Sequence, residues 1–482
     1  MGNWRLTPKN LKNYPHFDAH LSPRDAEALA TDPDCVAKHH FYPFIRFKQR
    51  WTKFAKAGHE GKAKERQIRY ASRADAYIFS YYRHQLSAHY EREIARLGLS
   101  ECVLAYRRIP LERSNGGKCN INHAFDAFTA IRGFRSCFVI ALDISSFFES
   151  IDHKNLKAVW CRLLGTDRLP DDHFAVYRAI TSYSVVDKQA VYERLGHFGD
   201  KATTASGKVI KGYLTPKKKI PKQLCTGAEF RKRIAGGDGR PSLIEKNFKP
   251  YGVPQGAPIS DLLANMYLLD FDLDVKNLIS GIGGIYRRYS DDILIIAPGC
   301  EAKAVDIEAE IRKRMGRFGR KMVIQEEKSS IFEFTPTCDA QVCRHIRGRQ
   351  GKNGLEYLGF RFDGRSVYLR DSTLSNLRRK VVRAARSEAY RWARRYPDKD
   401  AAALKDVFNY EMLVRRFGRV EDFYEKQKDY RNWTFWTYAQ RAAKVFGPLG
   451  EQTILRQLKR HKALIRKRME YEIEQAIARR KS

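Results

Sequence analysis

The stretch RRYSDDILII, residues 287–296, sets two adjacent aspartates, Asp291 and Asp292, between apolar runs rich in β-branched and aromatic residues. Ile285–Ser290 and Ile293–Ala297 read as strands, so the aspartates fall at a tight hairpin turn. Neighbouring like charges repel, and a turn glycine would be easier to accommodate there. The pair therefore needs compensation. A divalent cation supplies it, because Mg²⁺ is held by one or two carboxylates and keeps its other octahedral positions for water and substrate phosphates. A solvated turn could carry the same pair, so a third carboxylate is needed to decide.

Asp143 is that third group. CFVIALDISSFFESIDH, residues 137–153, begins as a β-rich apolar run and breaks into a polar turn after Asp143, which reads as a buried strand ending in a carboxylate. If this strand neighbours the hairpin, all three carboxylates meet. Two ions held among them could activate a 3′-hydroxyl and stabilise a leaving pyrophosphate in an in-line displacement. That chemistry is nucleotidyl transfer.

The bulk composition fits a polyanionic partner. Ninety Lys+Arg against 55 Asp+Glu give a formal charge of +35, spread along 482 residues that are 43% hydrophobic. Such a chain can bury a substantial core, has room for about two to four domains, and favours nucleic acid. No run of apolar residues reaches membrane-spanning length, and the N-terminus shows no signal-peptide pattern, so a soluble, cytoplasmic protein without membrane contact is expected. Nine scattered cysteines without CxxC pairs read as reduced thiols; Cys338, Cys343 and His345 lack a second ligand pair at zinc-finger spacing.

Along the chain, residues 1–60 show few periods, while 69–97 carry apolar residues at helical spacing and predict a long amphipathic helix. Residues 160–250 are basic, with Lys217, Lys218 and Lys219, and read as an insertion or surface element over 195–245. YGVPQGAPIS predicts a Gly/Pro turn opening a helix near Ser260 or Asp261. Beyond Phe334 the sequence is basic and mainly helical, with Leu374, Leu377 and Val381 on one face of an arginine-rich helix.

Taken in order, ALDISSFFESIDH, GVPQGAPIS followed by LAN, and RRYSDDILII resemble the palm motifs of reverse transcriptases. The likeness is to bacterial enzymes of the retron and group II intron lineage, and most of all to those associated with phage defence; it spans roughly residues 100–365. The resemblance implies an α+β right-hand polymerase with fingers, a ferredoxin-like palm and a helical basic thumb. Its divisions are an N-terminal extension (1–68), fingers (69–136), palm (137–335) with the basic insertion at 160–250, and a primer-grip hairpin with thumb (336–482). It implies Asp143, Asp291 and Asp292 as catalytic residues. These would hold two Mg²⁺ ions, or Mn²⁺, together with the Ile144 position.

Other roles follow from the same resemblance. Phe148 matches the bulky side chain under the incoming sugar that excludes a 2′-hydroxyl and favours dNTPs; the plain alternative is core packing by Phe147 or Phe148. Gln255 and Gly256 match the loop facing nucleotide and template, with Ala257 where related motifs often carry a second glycine. Arg107 and Lys118 match fingers residues on the triphosphate, and Lys328 the lysine at the leaving pyrophosphate. Tyr357, Leu358 and Gly359 match the primer grip. Trp433, Phe435, Trp436 and Tyr438 lie among basic residues suited to an RNA–DNA hybrid, though such sets are more often core.

The expected function is RNA-directed DNA synthesis from dNTPs on a dedicated noncoding RNA in antiphage defence, with further copies of the chain or a second defence protein as partners. A maturase-like RNA-binding scaffold and an RNA-templated RNA polymerase are the alternatives. No second acidic cluster reads as RNase H, and no Cys/His array as an HNH endonuclease.

Overall fold

The computed structural model describes residues 4–52, 63–111, 114–203, 207, 209–349, 353–417, 435–449 and 452–481. It divides into two compact units. One comprises Met1–Arg107, Leu142–Leu294 and Asp306–Gln325; the other comprises Arg108–Ala141, Ile295–Val305 and Glu326–Ser482.

The two apolar runs that frame the aspartates form strands of one five-stranded sheet. Its members are β1 (Cys137–Asp143), β2 (Ile285–Tyr289), β3 (Asp292–Ala297), β4 (Ser330–Pro336) and β5 (Gln341–Gly348), in the order β2-β3-β1-β4-β5. Ile293–Ala297 and Cys137–Ile140 are buried without interruption, as expected of strands covered on both faces. β4 runs antiparallel to β1, with Ser330 opposite Ala141 and Phe334 opposite Cys137, and β5 continues the antiparallel order beside β4.

In the first unit, the predicted long helix spans Arg73–Arg96 and is capped by Ser72 Oγ, which accepts from Asp75 N at 3.1 Å. It begins later than the apolar spacing implied, because Arg69 and Tyr70 belong to a strand, Ala63–Tyr70. Its first two turns are buried all round; then Tyr82, Leu86, Tyr90 and Ile94 carry a single inward stripe. The helix expected near Ser260 covers Ser260–Tyr267, and Ser260 Oγ donates to Pro254 O at 2.8 Å, fastening the preceding turn.

Two stretches are organised differently from their sequence reading. Phe44–Thr52 pairs antiparallel with Ala63–Tyr70 and parallel with Ser184–Asp187, and Glu245–Lys246 completes this four-stranded sheet. Phe17 and Ile45 share one core with Val186, Val191, Tyr192, Ile220, Leu224 and Ile234. His16 N donates to Lys222 O at 2.9 Å, and Leu224 N to His16 O at 2.8 Å. The N-terminal extension and part of the 160–250 stretch therefore share one packed core. The polar run Lys48–Gln49–Arg50 hid a strand, one of whose partners lies about 140 residues away. A division at residue 68 cuts the hairpin 44–52/63–70, and one at 336 falls between the paired strands β4 and β5.

In the second unit, Asn120–Gly133 precedes β1, and a three-stranded meander follows β5: Leu355–Tyr357, Phe360–Phe362 and Val367–Leu369. Helices Asp371–Arg395, Ala401–Val407, Tyr410–Phe417 and His461–Lys481 pack around Leu377, Val381, Ala385, Leu404, Leu413, Met469 and Ile473. The arginines of Asp371–Arg395 occupy the positions outside this stripe, so the basic helical region keeps its charge towards solvent. Trp433 lies outside the described residues; Phe435 packs against this core. Among the described residues no helix is long and apolar enough to cross a membrane.

Candidate active site

The hairpin between β2 and β3 turns on Ser290 and Asp291, and Asp292 opens β3. Ser290 has φ +60°, a left-handed conformation that costs a non-glycine residue on the order of 1 kcal/mol. The loop after β1 is tied to this turn through main-chain groups. Ile144 N donates to Asp291 O at 2.9 Å, Gln325 N to Asp143 O at 2.8 Å, and Ser145 N to Val323 O at 2.8 Å. Asp143 and Asp291 are thus neighbours across two chain segments, with Asp292 next in line. All three are half-buried, open enough to meet a ligand.

Among the described residues no three His, Cys, Asp or Glu side chains are gathered closely enough to hold a metal by themselves. The carboxylates read from sequence are nonetheless hard oxygen donors of the kind Mg²⁺ takes one or two at a time, with water and phosphate completing its shell. The donor set at hand is hard oxygen: the three carboxylates and the Ile144 carbonyl.

A buried network beneath the turn was not anticipated from sequence. Arg288 and Asp272, both 0% exposed, form a bidentate pair with Nε to Oδ1 at 2.7 Å and Nη2 to Oδ2 at 2.6 Å. Tyr286 OH donates to the same Asp272 Oδ1 at 2.7 Å. Arg288 Nη1 then donates to Ser290 O and to Asn265 Oδ1, each at 3.1 Å, and Asn265 Nδ2 donates to Ala105 O at 2.8 Å. Burial works against the Arg288 charge, but Asp272 outweighs it and holds the guanidinium well above its ordinary pKa. The strand alternation carried a signal: Tyr286 and Arg288 both face inward, and an inward arginine requires a buried carboxylate.

From the other side, Tyr106 OH lies 3.0 Å from Ser290 Oγ. Tyr106 itself has φ +64°, and its carbonyl accepts from Arg83 Nη2 at 3.2 Å. Arg83 is also bidentate to Asp261, at 2.9 Å through both Nε and Nη2. Burial, then the charges of Asp291 and Asp261, raise the Tyr106 pKa against the lowering hydrogen bond to Ser290, so the phenol stays neutral. Left-handed backbone at Tyr106, Ser146 and Ser290 concentrates strain around the aspartates, where the network can hold it.

The remaining sequence-derived residues divide by surroundings. Phe147 is 3% exposed and packs the core, whereas Phe148 is half-buried beside it, so the two candidate rings have different environments. Phe148 O accepts from Val253 N at 2.8 Å, linking the main chain at Phe148 to the loop holding Gln255 and Gly256. Gly256 has φ +116°, and a Cβ there would come within 2.3 Å of Arg69 O; Gln255 O accepts from Arg69 N at 3.1 Å. The glycine is thus demanded by the neighbouring strand.

Arg107 is turned to Glu91 at 2.7 Å and to the carbonyls of Ser100 and Val103, at 2.8 and 2.6 Å. These contacts brace its own loop and leave little of the guanidinium for a triphosphate. In the second unit Lys118 pairs with Asp126 at 2.8 Å, and Lys328 ends a short helical turn. Tyr357 is buried, while Leu358 and Gly359 form a two-residue hairpin turn with φ +46° and +93°. Asn120 Nδ2 donates to Leu358 O at 3.1 Å and to Tyr438 OH at 3.0 Å, fastening the turn from two sides.

Residues 216–362 match the family model described as "Reverse transcriptase (RNA-dependent DNA polymerase)". That stretch, about a third of the chain, is similar to a reverse transcriptase domain. With the sheet that bears the aspartates, the match supports the α+β right-hand polymerase class read from sequence. It includes Gln255, Gly256, Asp291, Asp292, Lys328 and the 357–359 turn, and stops short of Asp143 and Phe148. No curated protein matches the chain. Similar solved structures include telomerase from Candida albicans in complex with a fragment of telomeric RNA, at 9% identity and TM-score 0.37, covering 92% of this chain and 62% of that one. Another is apo telomerase from Candida tropicalis lacking its C-terminal domain, at 10% identity and TM-score 0.34, covering 65% and 53%. The chain therefore spans about half to just under two thirds of the length of these structures.

Proposed function

We propose that the protein is an RNA-directed DNA polymerase that adds dNTPs to a 3′-hydroxyl on an RNA template. The observation that carries this reading is the Ile144 N to Asp291 O hydrogen bond, which sets Asp143, outside the family match, beside Asp291 and Asp292, inside it. Asp143, Asp291, Asp292 and the Ile144 carbonyl are the groups that would hold Mg²⁺. When bound, the ions lower the pKa of the attacking hydroxyl and neutralise the leaving pyrophosphate. Asp143 and Asp291 fix where the triphosphate sits. Phe148 closes the space a 2′-hydroxyl would need, and Gln255 meets the nascent pair from the loop held by Arg69. Lys328 is assigned to the departing pyrophosphate, Lys118 to the triphosphate, and Leu358–Gly359 to the primer strand. Arg107 is assigned a bracing role through Glu91.

The finer reading is a bacterial reverse transcriptase of the phage-defence type. It works in the cytoplasm with a dedicated noncoding RNA, alone or with copies of itself or a second defence protein. The three sequence motifs and the +35 charge support it.

The test is extension of oligo(dT) on poly(rA) with Mg²⁺ and either dTTP or UTP. Wild type should incorporate dTTP; Asp291→Asn should lose at least about a hundredfold in rate while still binding RNA. Phe148→Ala should admit UTP. Equal use of UTP by the wild type would favour RNA synthesis, and no incorporation with tight RNA binding would favour the scaffold.

A further inference from the structure

The most exposed large apolar side chain of the described residues is Phe248, 85% exposed, five residues before the Val253–Pro258 loop. It does not sit on a loose segment. Asn247 N donates to Tyr183 O at 2.8 Å, while Asn247 Nδ2 donates to Thr181 O at 3.0 Å and Tyr251 O at 3.4 Å. The backbone is thus held on both sides, and the ring is presented to solvent at little further cost in ordering.

Its neighbours are cations and rings. Lys246 Nζ lies 5.6 Å from the Phe248 ring centroid, and Lys249 Nζ lies 5.8 Å from that of Tyr251. Neither lysine has a carboxylate partner among the described residues. A continuous series of contacts joins this feature to the proposed nucleotide loop: Tyr183 O receives Asn247 N, the Arg69 guanidinium lies 5.7 Å from the Tyr183 ring centroid, and Arg69 N donates to Gln255 O. All of these residues belong to the first unit.

We propose that Phe248, flanked by Lys246 and Lys249, is a stacking platform for an unpaired base of the single-stranded RNA template before it reaches the Gln255–Gly256 loop. The inference rests on the polymerase reading and adds a site to it. An exposed ring beside a hydrogen-bonded backbone matches the face of any base, and two ammonium groups without a carboxylate partner among the described residues match the flanking phosphates. A purely apolar partner would leave the paired lysines without counter-charge, whereas the phosphates flanking a stacked base supply it. Recognition should be indifferent to base identity, because the ring offers no hydrogen-bonding group and the adjacent Asn247 amide is spent on Thr181 O and Tyr251 O.

The experiment is fluorescence anisotropy of the full chain with two RNA–DNA primer–templates, one blunt and one with six unpaired 5′ template nucleotides. Phe248→Ala should weaken the overhang substrate at least about fivefold and leave the blunt one unchanged. Phe248→Trp should restore binding, and Lys246→Gln with Lys249→Gln should flatten its salt dependence by about two phosphate contacts. Equal weakening of both substrates, or an unchanged overhang affinity in Phe248→Ala with the same melting temperature as wild type, would overturn the platform. Parallel primer extension keeps the two claims apart. If Asp291→Asn abolishes synthesis while Phe248→Ala binds as wild type, the platform alone fails; if wild type makes no DNA but Phe248→Ala selectively loses the overhang, the polymerase reading alone fails.

Discussion

Two buried arginine–aspartate pairs in the first unit serve different ends. Arg288–Asp272 is closed and bidentate, with both residues 0% exposed, and Arg288 Nη1 goes on to Asn265 Oδ1 and to Ser290 O in the turn that carries Asp291. Arg73–Asp18 is looser, with Nε 3.4 Å from the carboxylate, and its other contacts go to main chain: Arg73 Nη2 donates to Asp18 O, and Asp18 Oδ2 accepts from Ala74 N. The first pair braces the turn proposed to carry the chemistry, whereas the second docks the N-terminal segment on the long helix. Buried charge by itself therefore does not mark function; where its spare hydrogen bonds go does.

The largest expected difference between the pairs is in activity. Arg288→Met removes the donor to Ser290 O and strands Asp272, so it should cost about 3–5 kcal/mol of stability and nearly all DNA synthesis. Arg288→Met with Asp272→Leu removes the stranded charge. Denaturant melts should then recover most of the stability, while synthesis stays low and the Mg²⁺ requirement rises. Recovery of both would reduce this pair to packing.

The second pair should behave differently. Arg73→Met ought to lose a similar amount of stability, about 3–5 kcal/mol, yet keep its synthesis rate per folded molecule within a few fold. Between these cases lies Asn265→Ala, which leaves Ala105 O and one Arg288 donor without partners. It should cost about 1–3 kcal/mol, with a drop in kcat and little change in KM.

The effect that leaves synthesis untouched is a pH dependence confined to the N-terminal element. Burial, then the charge of Arg73, lowers the His16 pKa from 6.5 to about 3, and its Nδ1 accepts from Phe17 N at 2.9 Å. The unfolded chain takes up a proton as pH falls through 6.5, while the folded chain resists until about 3. His16 thus contributes stability in full above pH 6.5 and loses it as pH falls towards 3, at no more than about 1.4 kcal/mol per pH unit. His16→Gln should flatten that acid limb in melts between pH 4 and 7 without altering synthesis at pH 8.

The parts of this molecule that were legible in sequence are those whose pattern is local. β1 and β3 announce themselves by uninterrupted apolar runs, the turn by adjacent aspartates, and the helix at Ser260 by its Gly/Pro lead-in. What escaped was long-range. Phe44–Thr52 breaks period two with adjacent Phe44 and Ile45 and with the polar run Lys48–Gln49–Arg50, and it is completed by Ser184–Asp187, so neither segment shows its partner. Arg288 looked like one more basic residue until Asp272, sixteen positions earlier, was found against it. Arg107, assigned to a triphosphate by resemblance, is occupied by Glu91 and two carbonyls, a use that motif matching cannot reveal.

The most direct test is the initial rate of DNA synthesis by Asp143→Asn on an RNA template, measured beside wild type with equal RNA binding verified. Asp143 lies outside the 216–362 match and reaches Asp291 through the main-chain bond of Ile144. If the three aspartates form one site, the rate should fall at least about a hundredfold, as for Asp291→Asn. A rate within a few fold of wild type would contradict the account.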